Sequence, residues 1–447
     1  LALPLTWVEQ RLSESGQTIE QLVQSENQQQ AADQVSISNC IGSLRVLGAI
    51  DWRKFVETLS IVEQILLEDP GGVYGRMDFA TRDRYRHATE AIARKGRLTE
   101  SAVASKALEL AQAGTAIDAD TRTDDRAGHV GFYLIDKGLP KLERAAEVRL
   151  SGAAAMRRTA GKFPLLLYLG AIALITAIIA ETLLAQVLAA GLPAGVSSWL
   201  LLPLGGLTVL AASHLAVALV NWLATLLVPP QPLSKMDFST GIPTPSRTLV
   251  VIPTLLTRAA SVEDLIEALE VRFLANRDES LHFGLLTDFQ DAHQESLPGD
   301  ASLVQLARTR IEELNQKHGG TQGGAANDRF FLFHRPRCWN PRERIWMGYE
   351  RKRGKLADLN ALLREGNGDG FSLIVGATAA LAGVKYVITL DTDTQLPRDA
   401  ARLFVGTMAH PLNRPVYDAA LQRVCTGYGI LQPRVSVSLP STNLSRY

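Results

Sequence analysis

The stretch Tyr386-Val-Ile-Thr-Leu-Asp391-Thr-Asp393-Thr-Gln-Leu-Pro397 decides the fold. An apolar, β-branched run stops at two carboxylates one residue apart, and a proline closes it. Lys385 to Leu390 is nearly continuous in apolar residues instead of alternating, which predicts a buried strand of a parallel sheet. In open α/β sheets, ligands bind just beyond the carboxyl ends of strands, where Asp391 and Asp393 would stand. Residues i and i+2 of an extended segment point the same way, so both carboxylates could face one ligand. Hard oxygen donors at that spacing suit Mg²⁺ or Mn²⁺ carrying a diphosphate. The competing reading of any Asp-x-Asp is a solvated turn or a helix cap.

Working outward, strand and helix signals alternate from Pro243-Thr-Pro245 onward. Strands are predicted at Arg247 to Ile252, ending in Pro253-Thr254, at Leu281 to Leu286, running into Thr287-Asp288, and at Arg329 to Phe333. Helices are predicted at Val262 to Ala275, Leu303 to His318, Leu356 to Arg364 and Arg398 to Ala409. The segment Gly429 to Val435 is strand-like. Alternating β and α elements imply a mostly parallel, three-layer sheet over 243–447. Three strand ends then offer polar groups: Pro253-Thr254, Asp288, and Asp391 with Asp393. Asp288 could accept hydrogen bonds from a nucleobase or ribose, or simply cap the following turn.

Between these strands, basic and aromatic residues interleave from His334 to Lys355. Such a pattern can serve nucleic acid, but Lys+Arg and Asp+Glu are both 46, and a balanced charge gives no global attraction to it. A solvated loop is another reading. Phosphate binding fits better: Lys352, Arg353 and Lys355 lead into a helix start near Gly354, where amides and cations favour an anion. No Walker sequence is present, so nothing points to ATP hydrolysis.

The amino-terminal 1–156 read as helical and soluble, with Thr caps, helical spacing of apolar residues and a breaker at Asp69-Pro-Gly-Gly. The composition then changes. Two long apolar runs, at about 163–190 and 199–228, flank a turn at Pro193 and Gly195, and no charged residue falls between Glu181 and Lys235. Each run supplies the roughly 20 apolar residues that a bilayer-spanning helix needs. A transmembrane hairpin over 163–228 is expected, with a buried soluble helix pair as the alternative. Arg157, Arg158 and Lys162 before it and Lys235 after it place both flanks in the cytoplasm. Glu181, His214 and Asn221 are intramembrane polar candidates. The three cysteines have no metal spacing and form no disulfide framework, which fits a reducing compartment. No signal peptide is apparent, and the absence of an initiator Met suggests an excerpt of a longer polypeptide.

An Asp-x-Asp at one strand end, an Asp at an earlier one and a Lys-x-Gly between them resemble an inverting nucleotide-sugar transferase of the GT-A fold. Longer motifs extend the likeness. Pro4-Leu-Thr-Trp-Val-Glu-Gln-Arg-Leu, Gln34-Val-Ser-Ile-Ser-Asn, Ser43-Leu-Arg-Val-Leu-Gly, Met77-Asp-Phe-Ala-Thr-Arg-Asp-Arg-Tyr-Arg-His87, His129-Val-Gly-Phe-Tyr-Leu-Ile-Asp136 and Trp346-Met-Gly-Tyr-Glu-Arg-Lys-Arg-Gly-Lys-Leu resemble cyclic β-1,2-glucan synthases. The resemblance implies a multi-pass bacterial inner-membrane enzyme with its transferase domain in the cytoplasm. Such an enzyme uses UDP-glucose to build a β-1,2-glucan on a protein-linked primer and then cyclises it. It implies Mg²⁺ or Mn²⁺ on Asp391 and Asp393, and the nucleotide sugar against Pro253, Thr254, Asp288, Lys352, Gly354 and Asp391. Tyr133 or another amino-terminal tyrosine would carry the growing chain. The acceptor-activating carboxylate and a Gln-x-x-Arg-Trp motif are expected beyond Tyr447, so this stretch alone is expected to be inactive. Two other readings stay open: a synthase of a linear polysaccharide such as cellulose or hyaluronan, and a non-catalytic membrane scaffold with a degenerate transferase fold.

Overall fold

The computed structural model describes residues 2–16, 18–121, 126–149, 152, 161–189, 199, 201–228, 230–322 and 325–436. The chain divides into two compact units, Leu1–Ile65 and Leu66–Tyr447. The first holds α1 (Ala2–Glu14), α2 (Ile19–Ala49) and α3 (Trp52–Leu59). Thr18 opens α2 with a capping box: its hydroxyl accepts the Gln21 amide while the Gln21 side chain accepts the Thr18 amide. Asp51 caps α3 by accepting the amides of Arg53 and Lys54.

The second unit begins with the end of α4 (Ile61–Leu67) and continues through α5 (Phe79–Lys95), α6 (Glu100–Thr121), α7 (Val130–Ile135) and α8 (Leu139–Ala145). Their core is aromatic and aliphatic, with Tyr74, Tyr85, Leu134 and Leu142 fully buried. At its centre Asp69 is completely enclosed. It accepts from the Val73, Tyr74 and Val130 amides and pairs with His129 Nδ1 at 2.9 Å. Burial alone would raise this carboxyl, but His129 and the amides hold it below its ordinary value. His129 Nε2 faces the Tyr85 hydroxyl at 3.2 Å. Tyr133 is 3% exposed, so this tyrosine is packed inside the helical core and is not offered to solvent.

Two long helices follow, α9 (Pro164–Ala189) and α10 (Leu201–Leu227). Their predominantly apolar spans of 24 and 26 residues exceed what a bilayer core requires. Only 6% and 17% of the most apolar windows are buried by protein, unlike the core helices of a soluble domain. One interhelical hydrogen bond, Tyr168 Oη to Asn221 Oδ1 at 2.9 Å, ties the pair. The predicted turn at Pro193 and Gly195, and the basic Arg157 and Arg158, lie outside the described residues.

The segment leaving α10 is clamped. Lys235 pairs with Asp78 and its carbonyl receives the Asp78 amide; the Met236 amide donates to Gly406 O, and Asn413 donates to Ser234 O. This short run therefore ties the helices of the second unit to its sheet.

The main sheet has five strands: β1 (Thr248–Leu256), β2 (Leu281–Phe289), β3 (Phe330–His334), β4 (Leu373–Val375) and β5 (Tyr386–Thr389). Their order is β4-β3-β2-β1-β5, parallel except for β4. On one face pack α11 (Ala259–Ala275), α12 (Asp300–His318) and α14 (Ala400–Ala409), through Val262, Leu269, Ile311 and Val405. On the other lies α13 (Arg351–Glu365), through Leu359. This is the expected three-layer parallel architecture. Two expectations change. β5 is an edge strand whose Val387 and Thr389 are exposed, because it pairs with β1 alone. Gly429 to Val435 joins no sheet, and Ile430 is 88% exposed, since it meets no strand among the described residues.

Candidate functional site

The chain runs β1, β2, β3 in one direction and then returns β5 to the other side of β1, so the strand order reverses between β1 and β5. Crevices form at such a reversal, outside the carboxyl ends. Register fixes what reaches it. Thr254 lies level with Thr287, Leu255 with Asp288, and Thr287 with His334. The Leu390 amide still donates to Val251 O, so Asp391 is the first residue past the ladder. Pro253 is buried and Thr254 half-buried in that rim.

Asp288 is 1% exposed and doubly held. Arg335 Nε and Nη2 fork onto its two oxygens at 2.8 and 3.1 Å, and Lys355 Nζ sits 3.0 Å from Oδ2. The fork continues: Arg335 Nη1 donates to Asp358 at 2.7 Å and Nη2 to Tyr349 O at 3.0 Å. Lys355 also donates to Thr254 O at 2.7 Å, so one ammonium links the ends of β1 and β2. Burial pushes the Lys355 pKa down from its ordinary value, although Asp288 opposes this. Burial likewise acts against Arg335, but Asp288 and Asp358 hold its pKa above the ordinary value. Glycines let this network close. A Cβ at Gly348 would overlap the Asp288 carboxylate, and one at Gly354 would overlap Tyr349 O.

Asp391 and Asp393 are exposed, and they occupy a turn, not an extended segment: the Thr394 amide donates back to Asp391 O at 3.1 Å. Arg272 shapes that turn from α11, donating to Thr392 O and Thr394 O at 2.8 Å each. Burial lowers the Arg272 pKa, with the charge of Asp393 opposing the shift. Lys352, in the first turn of α13, pairs with Asp391. The structure thus gathers Thr254, Asp288 and Lys355 into one buried network and Lys352 with Asp391 into an exposed pair beside it. Arg335, Arg272 and Asp358 were not singled out by the sequence reading. Arg335 follows a strand end directly, which is a usable signal; Arg272 on α11 has none.

No group of three or more His, Cys, Asp or Glu poised for a metal occurs among the described residues. Two carboxylates at one turn fit instead an ion that takes one or two protein oxygens and completes its shell with water and phosphate, as Mg²⁺ does. A cavity of about 840 Å³ opens at the opposite end of the strands around Arg277, Ser280 and Arg329, and holds neither Asp391 nor Asp288.

The parallel α/β sheet with polar groups at its strand ends, together with two apolar helices, fits a transferase-like domain with a membrane hairpin. Comparison with known proteins narrows that class. No family model matches. The chain is 36% identical over 438 residues to the cyclic beta-(1,2)-glucan synthase NdvB of Rhizobium meliloti (strain 1021), covering 97% of this chain and 15% of that protein's length. The resemblance to cyclic β-1,2-glucan synthases therefore holds along nearly the whole chain.

Proposed function

We propose that this chain carries the donor-binding part of a membrane-bound glucosyltransferase that builds a β-1,2-glucan from UDP-glucose. The observation that supports the reading most is the meeting of Lys352 with Asp391 beside the Asp288–Lys355–Thr254 network, at the strand-order reversal of a glucan-synthase homologue. The sheet domain is read as a GT-A fold and the site as cytoplasmic, below an inner-membrane hairpin.

Making a β-glycoside from an α-linked sugar nucleotide requires inversion, with the acceptor hydroxyl attacking opposite the departing diphosphate. Asp391 and Asp393 would hold Mg²⁺ or Mn²⁺, which when bound offsets the negative charge that grows on a leaving diphosphate. Lys352, exposed at the start of α13 and paired with Asp391, would turn to the diphosphate as the donor enters. Pro253 and Thr254 form the floor under the nucleotide, with Gly354 keeping the helix start close. Asp288, fixed by Arg335 and Lys355, sets the shape of the nucleoside end and does not need to move. Proton removal from the acceptor needs a base within hydrogen-bond reach, and that role is assigned to no residue described here.

The test is calorimetric titration of UDP into the detergent-solubilised chain, with Mn²⁺ and then with chelator. Saturable binding with Mn²⁺ that disappears with chelator is expected. Equal binding in both conditions, or none in either, overturns the reading.

A further inference from the structure

Beyond the donor site, the interleaved basic and aromatic stretch forms an element of its own. Cys338–Asn340 and Ile345–Met347 pair as an antiparallel hairpin, with Trp339 directly opposite Trp346. On one face Met347 is 5% exposed and Asn340 contacts its sulfur, while Cys338 opposite Met347 is exposed. The other face carries both indoles, with ring centroids 5.8 Å apart and planes at 57°. Trp339 remains 48% exposed, and Tyr349, just beyond the hairpin, 61%.

Both ends of this element are rigidly held. At its start, Arg337 is 4% exposed, lies over the Phe289 ring and donates to Gln290 O and Asp300. Its second strand bridges Ala292 through two backbone hydrogen bonds of 2.8 and 2.9 Å. At its end, Gly348 lies against Asp288 and Tyr349 O accepts from Arg335. The indole face, with Trp339 exposed and Trp346 half-buried, is therefore fixed at the carboxyl ends of β2 and β3, next to the candidate donor site. Fixed, solvent-facing aromatics at a site rim mark recognition of a ligand with an apolar face.

A β-linked glucose has all its ring hydroxyls equatorial, so its C–H bonds make flat apolar faces that pack on indoles, while the hydroxyls reach polar neighbours at the rim. We propose that the Trp339–Trp346 face, with Tyr349, binds pyranose rings of the glucan chain beside the donor site. This inference rests on the transferase reading above and adds a second, nucleotide-independent ligand to it. Arg342 and Arg344, exposed in the hairpin's connecting turn, are placed to donate to those hydroxyls.

The solubilised 447-residue chain is titrated with a linear β-1,2-linked glucose oligosaccharide and, separately, with UDP and Mn²⁺. Trp339→Ala and Trp339→Phe are compared with the parent. The oligosaccharide is expected to bind saturably, about tenfold more weakly to Trp339→Ala, and within twofold of the parent in Trp339→Phe. UDP–Mn²⁺ binding should stay within twofold in both, which shows that the fold is intact. No saturable oligosaccharide binding to the parent, or an unchanged affinity in Trp339→Ala, overturns the proposal. A loss of UDP binding with oligosaccharide binding retained also overturns it, because the indole then serves the nucleobase. Oligosaccharide binding that follows this pattern while the parent fails to bind UDP sinks the donor-site reading and leaves the glucan face standing.

Discussion

Arg335→Met is the most informative single perturbation of the fold around the site. The guanidinium is 4% exposed and makes four charge-assisted or carbonyl bonds between 2.7 and 3.1 Å, to Asp288, Asp358 and Tyr349 O. Methionine fills similar volume but leaves Asp288 buried with Lys355 as its remaining cation. Removing one partner of a buried pair costs about 3–5 kcal/mol, and the retained ammonium argues for the lower end, about 3 kcal/mol. For a domain of this size that is a fall of roughly 10 °C in the sheet domain's unfolding midpoint. Near-ultraviolet circular dichroism of the solubilised chain reads it. Arg335→Lys, which keeps the charge but cannot fork, should recover about half of the loss. Pairing Arg335→Met with Asp288→Asn should cost less than the sum of the two, by about 1 kcal/mol or more. A midpoint within 2 °C of the parent for Arg335→Met, or strict additivity in the double variant, would refute the buried network.

Three further outcomes follow from the same geometry. Burial lowers the pKa of His282 and His334 to about 4 and that of His410 to about 3, against 6.5 for the free side chain. These side chains stay neutral in the folded protein while the unfolded chain takes up protons below pH 6.5, so stability is full above that value. It should fall by about 1.4 kcal/mol per histidine per pH unit down to about pH 4; a denaturant midpoint that stays flat from pH 6.5 to 4.5 contradicts this. Gly354→Ala must push α13 away from Tyr349 O, and should cost about 2 kcal/mol or more. An unchanged midpoint for that variant would show that α13 does not approach so closely. Tyr168→Phe removes the interhelical bond of the hairpin and should loosen it by about 0.6–1.7 kcal/mol in a bilayer-like environment, read as faster proteolysis between the helices; unchanged cleavage would show that the bond is not made.

Much of this was legible because buried parallel strands leave uninterrupted apolar runs, and the residue that ends a run marks the crevice. That logic located Asp288 and Asp391, and the structure puts both at strand ends. It could not tell that Asp288 would be enclosed, since Arg335 lies 47 residues away and the pairing has no local signature. It also read Asp391 to Asp393 as extended. The turn there depends on Arg272, which reaches Thr394 O across 122 residues. The Asp69–His129 pair, 60 residues apart and fully buried, was likewise silent in the sequence, where each reads as a solvated side chain of a helical region. The start of α13 was misplaced by a few residues because Glu350 and Arg351 adopt left-handed backbone, which side-chain patterning does not announce. Strand β5 read as buried because Tyr386, Ile388 and Leu390 do face the core, while Val387 matches their chemistry on the open side.

Electron paramagnetic resonance of Mn²⁺ titrated with the chain, with and without UDP, addresses the donor-site assignment most directly. Loss of the free-ion signal that strengthens when UDP is added, and that Asp391→Asn and Asp393→Asn each abolish, is the outcome predicted here. Ion and nucleotide binding that persist in both variants would contradict it.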